Sequence, residues 1–488
     1  MSDLISIQTQ PPLQAAQASL PLCVDLDGTL VRTDTLVEGL LSLVGGLRLG
    51  ALLGAFAGGR AALKARVAAA APTDPALLPY NEALLDYLRA QRAAGRRIVL
   101  ATAANEAVAR CVADHIGLFD EVIASSATLN LKGAAKAAAL VERFGRGGFV
   151  YAGDARADLG VWECAGAAVL VETSAGVAAQ VRVPVERRIA TRPKLVPTLL
   201  RAMRPHQWLK NLLVFVPILT SHALLDLGSW WGGLQAFAAF SAAASGIYLV
   251  NDLLDLAADR AHTAKRRRPF ASGAAPLGWG VGLGAALLAL AGVLGWLAGI
   301  LAVVAIYAGA SLAYSLALKR QPLVDVFTLA GLFTIRMFGG GEATGHSLSL
   351  WLLAFSIFLF LSLALVKRVT ELRESSGRVG RTVAGRGYGP ADIEILQLFG
   401  VCASFSASLV LALYVQSEAA TGRFAAPGLL WGIVPLVLLW NCRMWLSTAR
   451  GYMHHDPILY AARDRVTWAI VLAVVAVMLA ARTGLGVR

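Results

Sequence analysis

Val24-Asp25-Leu26-Asp27-Gly28-Thr29 places two carboxylates two positions apart, directly after the short apolar run Leu22–Val24. A short apolar run of this kind is typical of a buried parallel strand, and ligands bind beyond the carboxyl ends of such strands. One carboxylate at that edge can attack phosphorus, while the other protonates the leaving oxygen and later deprotonates water. The stretch therefore predicts an α/β fold with phosphoryl-transfer chemistry at the end of its first strand.

Two further apolar runs predict strands that end at the same edge of the sheet. Arg97–Ala101 is followed by Thr102, and Phe149–Ala152 is followed by Gly153 and Asp154. Ala-rich, helical stretches separate the runs, as expected of a parallel sheet. Thr102 offers a hydroxyl and a backbone N–H to a phosphoryl oxygen.

Charged residues suited to phosphate chemistry lie in the same part of the chain. Either Lys132 or Lys136 can neutralise the charge that develops on a phosphoryl group. Asp154 and Asp158 are carboxylates of the kind that Mg²⁺ prefers as ligands.

These stretches resemble, in order, the four motifs of the haloacid dehalogenase (HAD) superfamily of phosphatases: DxDGT, a strand-terminal Thr or Ser, a Lys, and GDxxxD. The resemblance implies that Asp25 is the nucleophile, that Asp27 is the general acid and base, and that Asp154 binds Mg²⁺ together with Asp25. It favours Lys136 over Lys132, because the helix start Lys-Ala-Ala-Ala-Leu fits the family better. It also implies a Rossmannoid parallel sheet, with a small helical cap inserted between Thr29 and Arg96.

The rest of the chain consists mainly of long apolar runs. Of the 488 residues, 57% are hydrophobic and only 15% are charged, which excludes an ordinary soluble enzyme. A turn near residues 295–299 is expected to divide the longest run. We expect nine membrane-spanning helices, near residues 211–228, 231–250, 277–296, 298–318, 323–341, 349–367, 393–416, 427–446 and 466–483.

The basic residues predict the orientation of these helices. They cluster in alternate loops, within 260–268, 319–320, 367–386 and 443–465, while the intervening loops offer only Arg423. Positively charged loops remain in the cytosol, so the head is expected to be cytosolic, and an odd number of helices places the C-terminus outside. Membrane orientation and anionic substrates therefore explain the net charge of +13 better than nucleic acid does.

The composition divides the chain into four parts. The N-terminal tail, residues 1–19, lacks the positive region and apolar core of a signal peptide. The head covers residues 20–185, a basic linker covers 186–204, and an all-α membrane domain covers 205–488. We expect a multi-pass protein of a bacterial-type inner membrane.

The second predicted membrane helix ends in Asn251-Asp252-Leu253-Leu254-Asp255-Leu256-Ala257-Ala258-Asp259. Residues 251, 255 and 259 recur every four positions, so we expect them on one helix face. Acids at a membrane surface are costly unless they meet a cation, and a Mg²⁺ that carries a diphosphate is such a cation. Donors for phosphate oxygens follow at once: His262, Lys265, Arg266, Arg267 and Arg268.

The N-xxx-D-xxx-D spacing resembles the UbiA-type intramembrane prenyltransferase superfamily, which implies a nine-helix bundle from about residue 200 to 488. Ordinary members carry a second acidic motif, DxxxD, near the fifth helix. Here Asp325 is followed four residues later by Leu329. Because the second motif is only half present, ordinary prenyl transfer is less well supported.

Residues 204–211, 251–269 and 314–341 resemble a narrower branch, the polyprenyl-phosphate phosphoribosyltransferases. Members of this branch use 5-phosphoribosyl 1-diphosphate (PRPP) as donor and a polyprenyl monophosphate as acceptor. The resemblance implies a Mg²⁺ and diphosphate site, with Asp255 catalytic, at Asn251, Asp252, Asp255 and Asp259. It implies phosphate binding by Lys265, Arg267 and Arg268. The cytosolic mouth would be lined by Tyr314, Lys319 and the catalytic Asp325, and the lipid phosphate would be held by Arg336 or Lys210.

One hypothesis connects the head and the membrane domain: the head dephosphorylates the product of the membrane domain. Each of the two is expected to bind one Mg²⁺. The transfer product, polyprenyl-phosphoryl 5-phosphoribose, keeps a phosphate monoester, and a HAD phosphatase removes such groups. Three alternatives stay open: an aromatic prenyltransferase of a quinone or haem pathway, a head that only binds phosphorylated metabolites, and a transporter. Acids confined to the cytosolic rim argue against the transporter. The prenyl chain length, the oligomeric state and the docking of the head stay open as well.

Overall fold

The computed structural model describes residues 20–46, 48–56, 59–221, 223–376, 387–421, 424–453 and 456–483. The predicted tail, residues 1–19, lies outside them, and so do five arginines of the predicted loops and C-terminus: Arg378, Arg381, Arg386, Arg423 and Arg488. The described chain forms two compact units. The first unit contains the residues up to Met203 together with Tyr248–Gly284, and the second contains Arg204–Ile247 together with the residues from Ala285 onward.

A six-stranded parallel sheet forms the centre of the first unit. Its strands are β1 (Leu22–Val24), β2 (Ile98–Asn105), β3 (Glu121–Ser125), β4 (Val150–Gly153), β5 (Ala167–Val171) and β6 (Val185–Ile189). The order across the sheet is β3-β2-β1-β4-β5-β6, so the direction of winding reverses between β1 and β4. The predicted parallel α/β fold is confirmed, although β2 continues beyond Thr102 to Asn105.

The core of the first unit lies on both faces of this sheet, because successive side chains of a strand point to opposite faces. Leu22 and Val24 pack on one face with the helix Glu82–Ala93, whereas Cys23 packs on the other with Leu140 of the helix Ala134–Phe144. All three strand residues are fully buried. Helices on both faces are what an all-parallel sheet requires.

The cap is smaller than the predicted insert from Thr29 to Arg96. It consists of the helices Thr35–Gly45, Leu49–Ala55 and Arg60–Ala70, which share a small apolar core. The helix Glu82–Ala93 belongs instead to the layer that packs on the sheet, because Leu84, Leu85 and Leu88 are buried against it. The 3₁₀ turn Pro75–Leu77 joins the two parts.

The other helices of the first unit are short. They are Glu106–Ile116, the 3₁₀ turn Arg156–Asp158, Leu159–Trp162, Ala175–Ala178, Leu195–Met203, Leu256–Ala261 and the 3₁₀ turn Lys265–Arg267. The last two lie in the segment Tyr248–Gly284, which begins at the end of one apolar helix and ends inside the next.

Seven helices of the described chain are long and apolar enough to cross a membrane. They are Leu227–Leu254, Leu277–Leu297, Val324–Thr344, Leu350–Glu374, Pro390–Gln416, Pro427–Ala449 and Arg465–Thr483. The apolar helix Leu301–Leu316 is shorter, and the expected turn before it lies at Gly299, which has a φ of +71°. Shorter elements are the 3₁₀ turn Leu318–Arg320, Glu418–Thr421 and Pro457–Arg463.

The predicted count of nine spanning helices is not confirmed. In place of the first one, near 211–228, the chain forms a 3₁₀ helix, Pro205–Phe215, and a short α-helix, Val216–Thr220. Pro217 lies at the junction of the two, and a proline cannot donate the backbone hydrogen bond that a continuous helix interior needs.

Candidate functional site

The carboxyl ends of three neighbouring strands bring the predicted head residues together. β1 lies between β2 and β4, and Val24 pairs with Leu100 on one side and Ala152 on the other. Asp25, which follows β1, therefore lies level with the residues just before Thr102 and Asp154. The Asp25 backbone N–H donates to the Ala152 carbonyl at 3.0 Å. Because the strand order reverses between β1 and β4, this edge is where such sheets bind their ligands.

Of the two candidate lysines, Lys136 is the one that contacts the expected nucleophile. Its Nζ lies 2.9 Å from Asp25 Oδ2 and 3.6 Å from Asp158 Oδ1, and its side chain is 3% exposed. Burial lowers the pKa of Lys136, but Asp25 and Asp158 outweigh burial and raise it above its usual value. Lys132 is exposed and lines the cavity into which Asp25 and Lys136 also project. The ammonium of Lys136 is thus a fixed positive charge beside Asp25.

Tyr151, which the sequence reasoning did not single out, connects this lysine to the acids. Lys136 donates to the Tyr151 hydroxyl at 2.6 Å, and that hydroxyl donates to Asp158 Oδ1 at 3.0 Å. Asp158 also accepts the backbone N–H groups of Asp154 and Ala155, at 3.3 and 3.2 Å. These bonds hold Asp158 in one orientation at the end of β4.

Three carboxylates form a cluster that can hold a metal ion. One oxygen each from Asp25, Asp154 and Asp158 lies within 4.8 Å of the others. Burial, followed by the charges of Asp25 and Asp158, raises the pKa of Asp154 to about 7. A divalent cation would remove that repulsion, and an all-oxygen donor set suits Mg²⁺. A Cβ at Gly28 would lie 2.3 Å from Asp154 Oδ2, so only glycine leaves room for this carboxylate.

Asp27 has the properties of a group that can give and take a proton near neutral pH. Its Oδ1 accepts the Thr35 backbone N–H at 2.9 Å. Burial and the nearby charge of Asp34 raise the pKa of Asp27 to about 7. Thr102, which is 1% exposed, directs its Oγ1 to the backbone N–H of Ala104 at 3.0 Å.

The second group of predicted residues lies in the acidic segment, residues 251–268. The helix Leu227–Leu254 ends inside this segment, and Asp255 separates it from the helix Leu256–Ala261. The structure joins a pair of acids that the four-residue periodicity did not predict. Arg268 Nη1 donates to Asp252 Oδ1 at 3.1 Å and to Asp259 Oδ2 at 2.7 Å.

The acids and bases of this segment differ in exposure. Asp252 and Asp259 are each 2% exposed, whereas Lys265, Arg266 and Arg267 are exposed to solvent. Asn251 Oδ1 is buried and has no hydrogen-bond partner among the described residues. Amide and carboxylate oxygens are donors of the kind that a hard cation binds, but among the described residues the only three acids that meet at metal-binding distance are those of the head. The structure thus leaves two of the predicted acids of this segment paired with Arg268, and it leaves Lys265 and Arg267 exposed, where phosphates can reach them.

The acidic segment also contacts the head within the first unit. Arg260 donates to both carboxylate oxygens of Glu38, in the first cap helix, at 2.9 and 2.5 Å. A Cβ at Gly45 would lie 3.1 Å from the Leu254 carbonyl, and one at Gly273 would lie 2.4 Å from Arg32 Cβ. The bidentate ion pair and the close approach at Gly45 connect the cap to this segment, and Gly273, just after the segment, packs against Arg32, just before the cap.

In the second unit, Asp325 forms a buried network that the sequence did not predict. It is fully buried, and Arg368 Nη2 lies 2.5 Å from its Oδ2. Tyr388 donates its hydroxyl to Asp325 Oδ1 at 2.5 Å, and Tyr314 lies within hydrogen-bonding reach of Arg368. Lys319 lies in the 3₁₀ turn Leu318–Arg320.

Arg336 and Lys210, the two candidates for a lipid phosphate, approach the same ring, that of Phe333. Lys210 forms an ion pair with Asp456. Arg336 is 5% exposed and is held by neutral groups instead, the Asn211 side-chain oxygen at 2.8 Å and the Tyr307 hydroxyl at 2.8 Å. Among the described residues no carboxylate forms an ion pair with Arg336. Of the two candidates, Arg336 is therefore the one without an ion-pair partner among the described residues.

Profiles of two protein families match the chain. Residues 214–456 match the UbiA prenyltransferase family, and residues 22–163 match the haloacid dehalogenase-like hydrolases. The uncharacterized protein y4nM of Sinorhizobium fredii is 37% identical over 475 residues, which cover 94% of this chain and 90% of that protein.

More limited similarities concern the membrane part. A decaprenyl-phosphate phosphoribosyltransferase of Mycolicibacterium smegmatis is 41% identical over 186 residues, and the match covers 37% of this chain and 58% of that protein. The solved structure of a UbiA homolog from Archaeoglobus fulgidus, bound to GPP and Mg²⁺, covers 58% of this chain and 99% of its own, with 17% identity and a TM-score of 0.45.

Seven apolar helices of spanning length and the two family matches identify a multi-pass membrane protein with two enzymatic parts. The chain belongs to the UbiA prenyltransferase family, and it is an enzyme whose transferase part follows a haloacid dehalogenase-like hydrolase part.

Proposed function

We propose that the membrane part transfers 5-phosphoribose from PRPP to a polyprenyl phosphate, and that the head then removes the 5-phosphate of the product. One observation carries the proposal: a single compact unit contains both the Asp25 cluster and the acidic segment with its shared Arg268. The product of phosphoribosyl transfer keeps a phosphate monoester, so it is a substrate for hydrolysis at Asp25. The similarity to a decaprenyl-phosphate phosphoribosyltransferase supports a phosphoribosyl group as the group transferred and a polyprenyl phosphate as the acceptor.

In the transfer step, an oxygen of the lipid phosphate attacks the anomeric carbon of the ribose. The bond from that carbon to the diphosphate breaks, and the diphosphate leaves from the opposite face. Asn251, Asp252, Asp255 and Asp259 would hold Mg²⁺, which when bound neutralises charge on the leaving diphosphate. Lys265, Arg267 and Arg268 would bind phosphate oxygens, because accessible cations form charge-assisted hydrogen bonds with them.

For the lipid phosphate we favour Arg336 over Lys210. Lys210 already pairs with Asp456, whereas the Arg336 guanidinium donates to neutral groups among the residues that the structure describes. A buried cation is stabilised by an anion that reaches it. Tyr314 and Lys319 would line the cytosolic mouth of this site. Asp325, which is held by Arg368 and Tyr388, would act by keeping Arg368 in position.

In the head, Asp25 would attack the phosphorus of the monoester and form an aspartyl phosphate, as the bond to the ribose oxygen breaks. Asp27, whose pKa of about 7 suits both directions of proton transfer, would protonate that oxygen and then take a proton from the attacking water. Lys136 and Thr102 would stabilise the phosphoryl oxygens. Mg²⁺ held by Asp25, Asp154 and Asp158 supplies further charge neutralisation when bound.

The membrane arrangement belongs to the same proposal. We retain nine spans, in which Leu301–Leu316 and the broken element Pro205–Thr220 would count as the two short ones. The proposed domain limits are 20–185 for the head, 186–204 for the linker and 205–488 for the membrane domain, with the correction that β6 extends the sheet of the head to Ile189. The head and the basic loops would be cytosolic and the C-terminus outside, so PRPP would reach its site from the cytosol.

The test uses the purified full-length protein with Mg²⁺ and two labelled donor–acceptor pairs. One pair is PRPP with polyprenyl phosphate, and the other is a prenyl diphosphate with an aromatic acid. We expect lipid-linked label only with the first pair. Label transferred to the aromatic acid would favour ordinary prenyl transfer and overturn the proposal.

A further inference from the structure

The cavity at the end of β1 contains more positive charge than the hydrolysis of one monoester needs. It has a volume of about 670 Å³ and contains Asp25 and Lys136. Lys136 is already neutralised, because it pairs with two carboxylates. Two arginines, Arg32 and Arg192, line the same cavity. Neither belongs to the four motifs that define the hydrolytic site.

The guanidinium groups of the two arginines keep unused hydrogen-bond donors. Arg32 Nη2 donates to the Thr191 hydroxyl at 2.6 Å, and the Nε atoms of both arginines are buried without a hydrogen-bond partner. Among the described residues neither guanidinium forms an ion pair with a carboxylate. Burial and the neighbouring Arg32 lower the pKa of Arg192, although Glu172 and Asp154 oppose this. Two adjacent, half-buried cations with unused donors are stabilised by a bound anion.

The position of Arg32 depends on the segment that leads into a membrane helix. Its backbone N–H donates to the Pro79 carbonyl at 2.8 Å, and the turn at Gly273 packs against its Cβ. Pro276, Leu277 and Gly278 form part of the cavity wall. Leu277 begins Leu277–Leu297, one of the helices long and apolar enough to span a membrane. The cavity is therefore bounded on one side by the start of a candidate membrane helix.

We propose that Arg32 and Arg192 form a second anion subsite in the phosphatase cavity, which takes the phosphodiester of a lipid-linked sugar phosphate whose terminal monoester lies at Asp25. The inference rests on the proposed dephosphorylation of a lipid-linked product and names the group by which the head recognises it. Such a substrate carries two anions separated by one pentose, followed by an apolar chain. The cavity offers two anion sites and a wall at the start of an apolar helix.

The test compares two soluble substrates that differ only in the second anion. One is ribofuranose 5-phosphate with a methyl phosphodiester at C1, and the other is methyl ribofuranoside 5-phosphate. Phosphate release is measured with the purified full-length protein, its R32Q/R192Q variant and its R32K/R192K variant. Arg89→Gln is the matched control, because Arg89 is exposed and pairs with Asp86 at the surface. Thermal unfolding of each variant reports whether it is folded.

We expect the kcat/KM of the wild type to be roughly ten- to a hundredfold higher for the diester substrate, because charge-assisted hydrogen bonds to the second anion contribute an energy of that size. The difference should lie mainly in KM. In folded R32Q/R192Q that ratio should fall to near one, R32K/R192K should recover part of it, and Arg89→Gln should keep it. A ratio unchanged in R32Q/R192Q would overturn the subsite.

Two further outcomes separate the subsite from the proposed function. A wild type that hydrolyses both substrates without preference overturns the subsite and leaves the dephosphorylation of the product standing. A wild type that hydrolyses p-nitrophenyl phosphate but neither ribose substrate overturns the proposed function, and the subsite with it.

Discussion

The two acidic clusters of the first unit differ in how their charge is balanced. In the head, the carboxylates of Asp25, Asp154 and Asp158 lie within 4.8 Å of one another, and a single lysine, 3% exposed, pairs with two of them. In the acidic segment, Asp252 and Asp259 share Arg268, which is 28% exposed. The head cluster has three carboxylates and one lysine, so a bound metal ion would balance its remaining negative charge.

Exposure adds to this difference. Lys136 is enclosed by the sheet edge and by Tyr151, so its position is set before any ligand binds. Arg268 is partly in water, so it can leave the two acids at lower cost and turn to a phosphate. We infer that the head cluster is preorganised for its reaction, whereas the acidic segment would rearrange its ion pairs to bind the proposed diphosphate.

The largest effect is expected from Asp25→Asn. Without the nucleophile, phosphate release should fall at least about 10³-fold, while transfer from PRPP continues. Chromatography of lipids labelled from PRPP should then show the phosphorylated product accumulating. Asp86→Asn, at an exposed surface position, is the control. If Asp25→Asn still forms the dephosphorylated lipid at the wild-type rate, the two reactions are not coupled through this site.

A large effect on the other reaction is expected from Asp252→Asn. It removes a buried carboxylate from the proposed Mg²⁺ and diphosphate site, so transfer should fall by roughly 10²-fold. Hydrolysis of p-nitrophenyl phosphate in the same preparation reports whether the head is intact. Transfer within twofold of the wild-type rate would exclude Asp252 from the site.

Gly28→Ala tests the crowding of the head cluster. The added Cβ would lie 2.3 Å from Asp154 Oδ2, so the carboxylate must move. We expect the Mg²⁺ concentration that half-activates phosphate release to rise about tenfold. Gly95→Ala is a matched control, because Gly95 has a similar φ, +83° against +78°, and open space around the added carbon. Equal shifts in both variants would assign the effect to the backbone alone.

The smallest effect is expected from Arg268→Gln. Because this arginine is partly exposed, solvent screening limits its contribution to about 1 kcal/mol, so the KM for PRPP should rise about fivefold. Arg266→Gln removes an exposed neighbouring charge and is the control. A loss of transfer as large as that in Asp252→Asn would contradict the idea that Arg268 exchanges partners easily.

Local sequence predicted the strand Leu22–Val24 and the position of Asp25 correctly, because a short apolar run that ends in a polar turn specifies both. It could not predict that Asp252 pairs with Asp259 through Arg268, or that Asp325 pairs with Arg368, 43 residues away along the chain. Such partners depend on how helices pack. The break of the first predicted membrane helix at Pro217 could have been predicted, because a proline inside an apolar run ends or kinks a helix.

The sequence by itself determined the two family memberships, the parallel sheet and the three head acids that the fold brings together. These depend on short motifs and on hydrophobic runs, whose physical meaning is local. The tertiary structure alone decided which other charges meet: Asp252 and Asp259 at Arg268, Asp325 at Arg368, and Arg32 beside Arg192. The reason is that the balance of charge in a cavity depends on distances between residues far apart in the chain, and the folded backbone sets those distances.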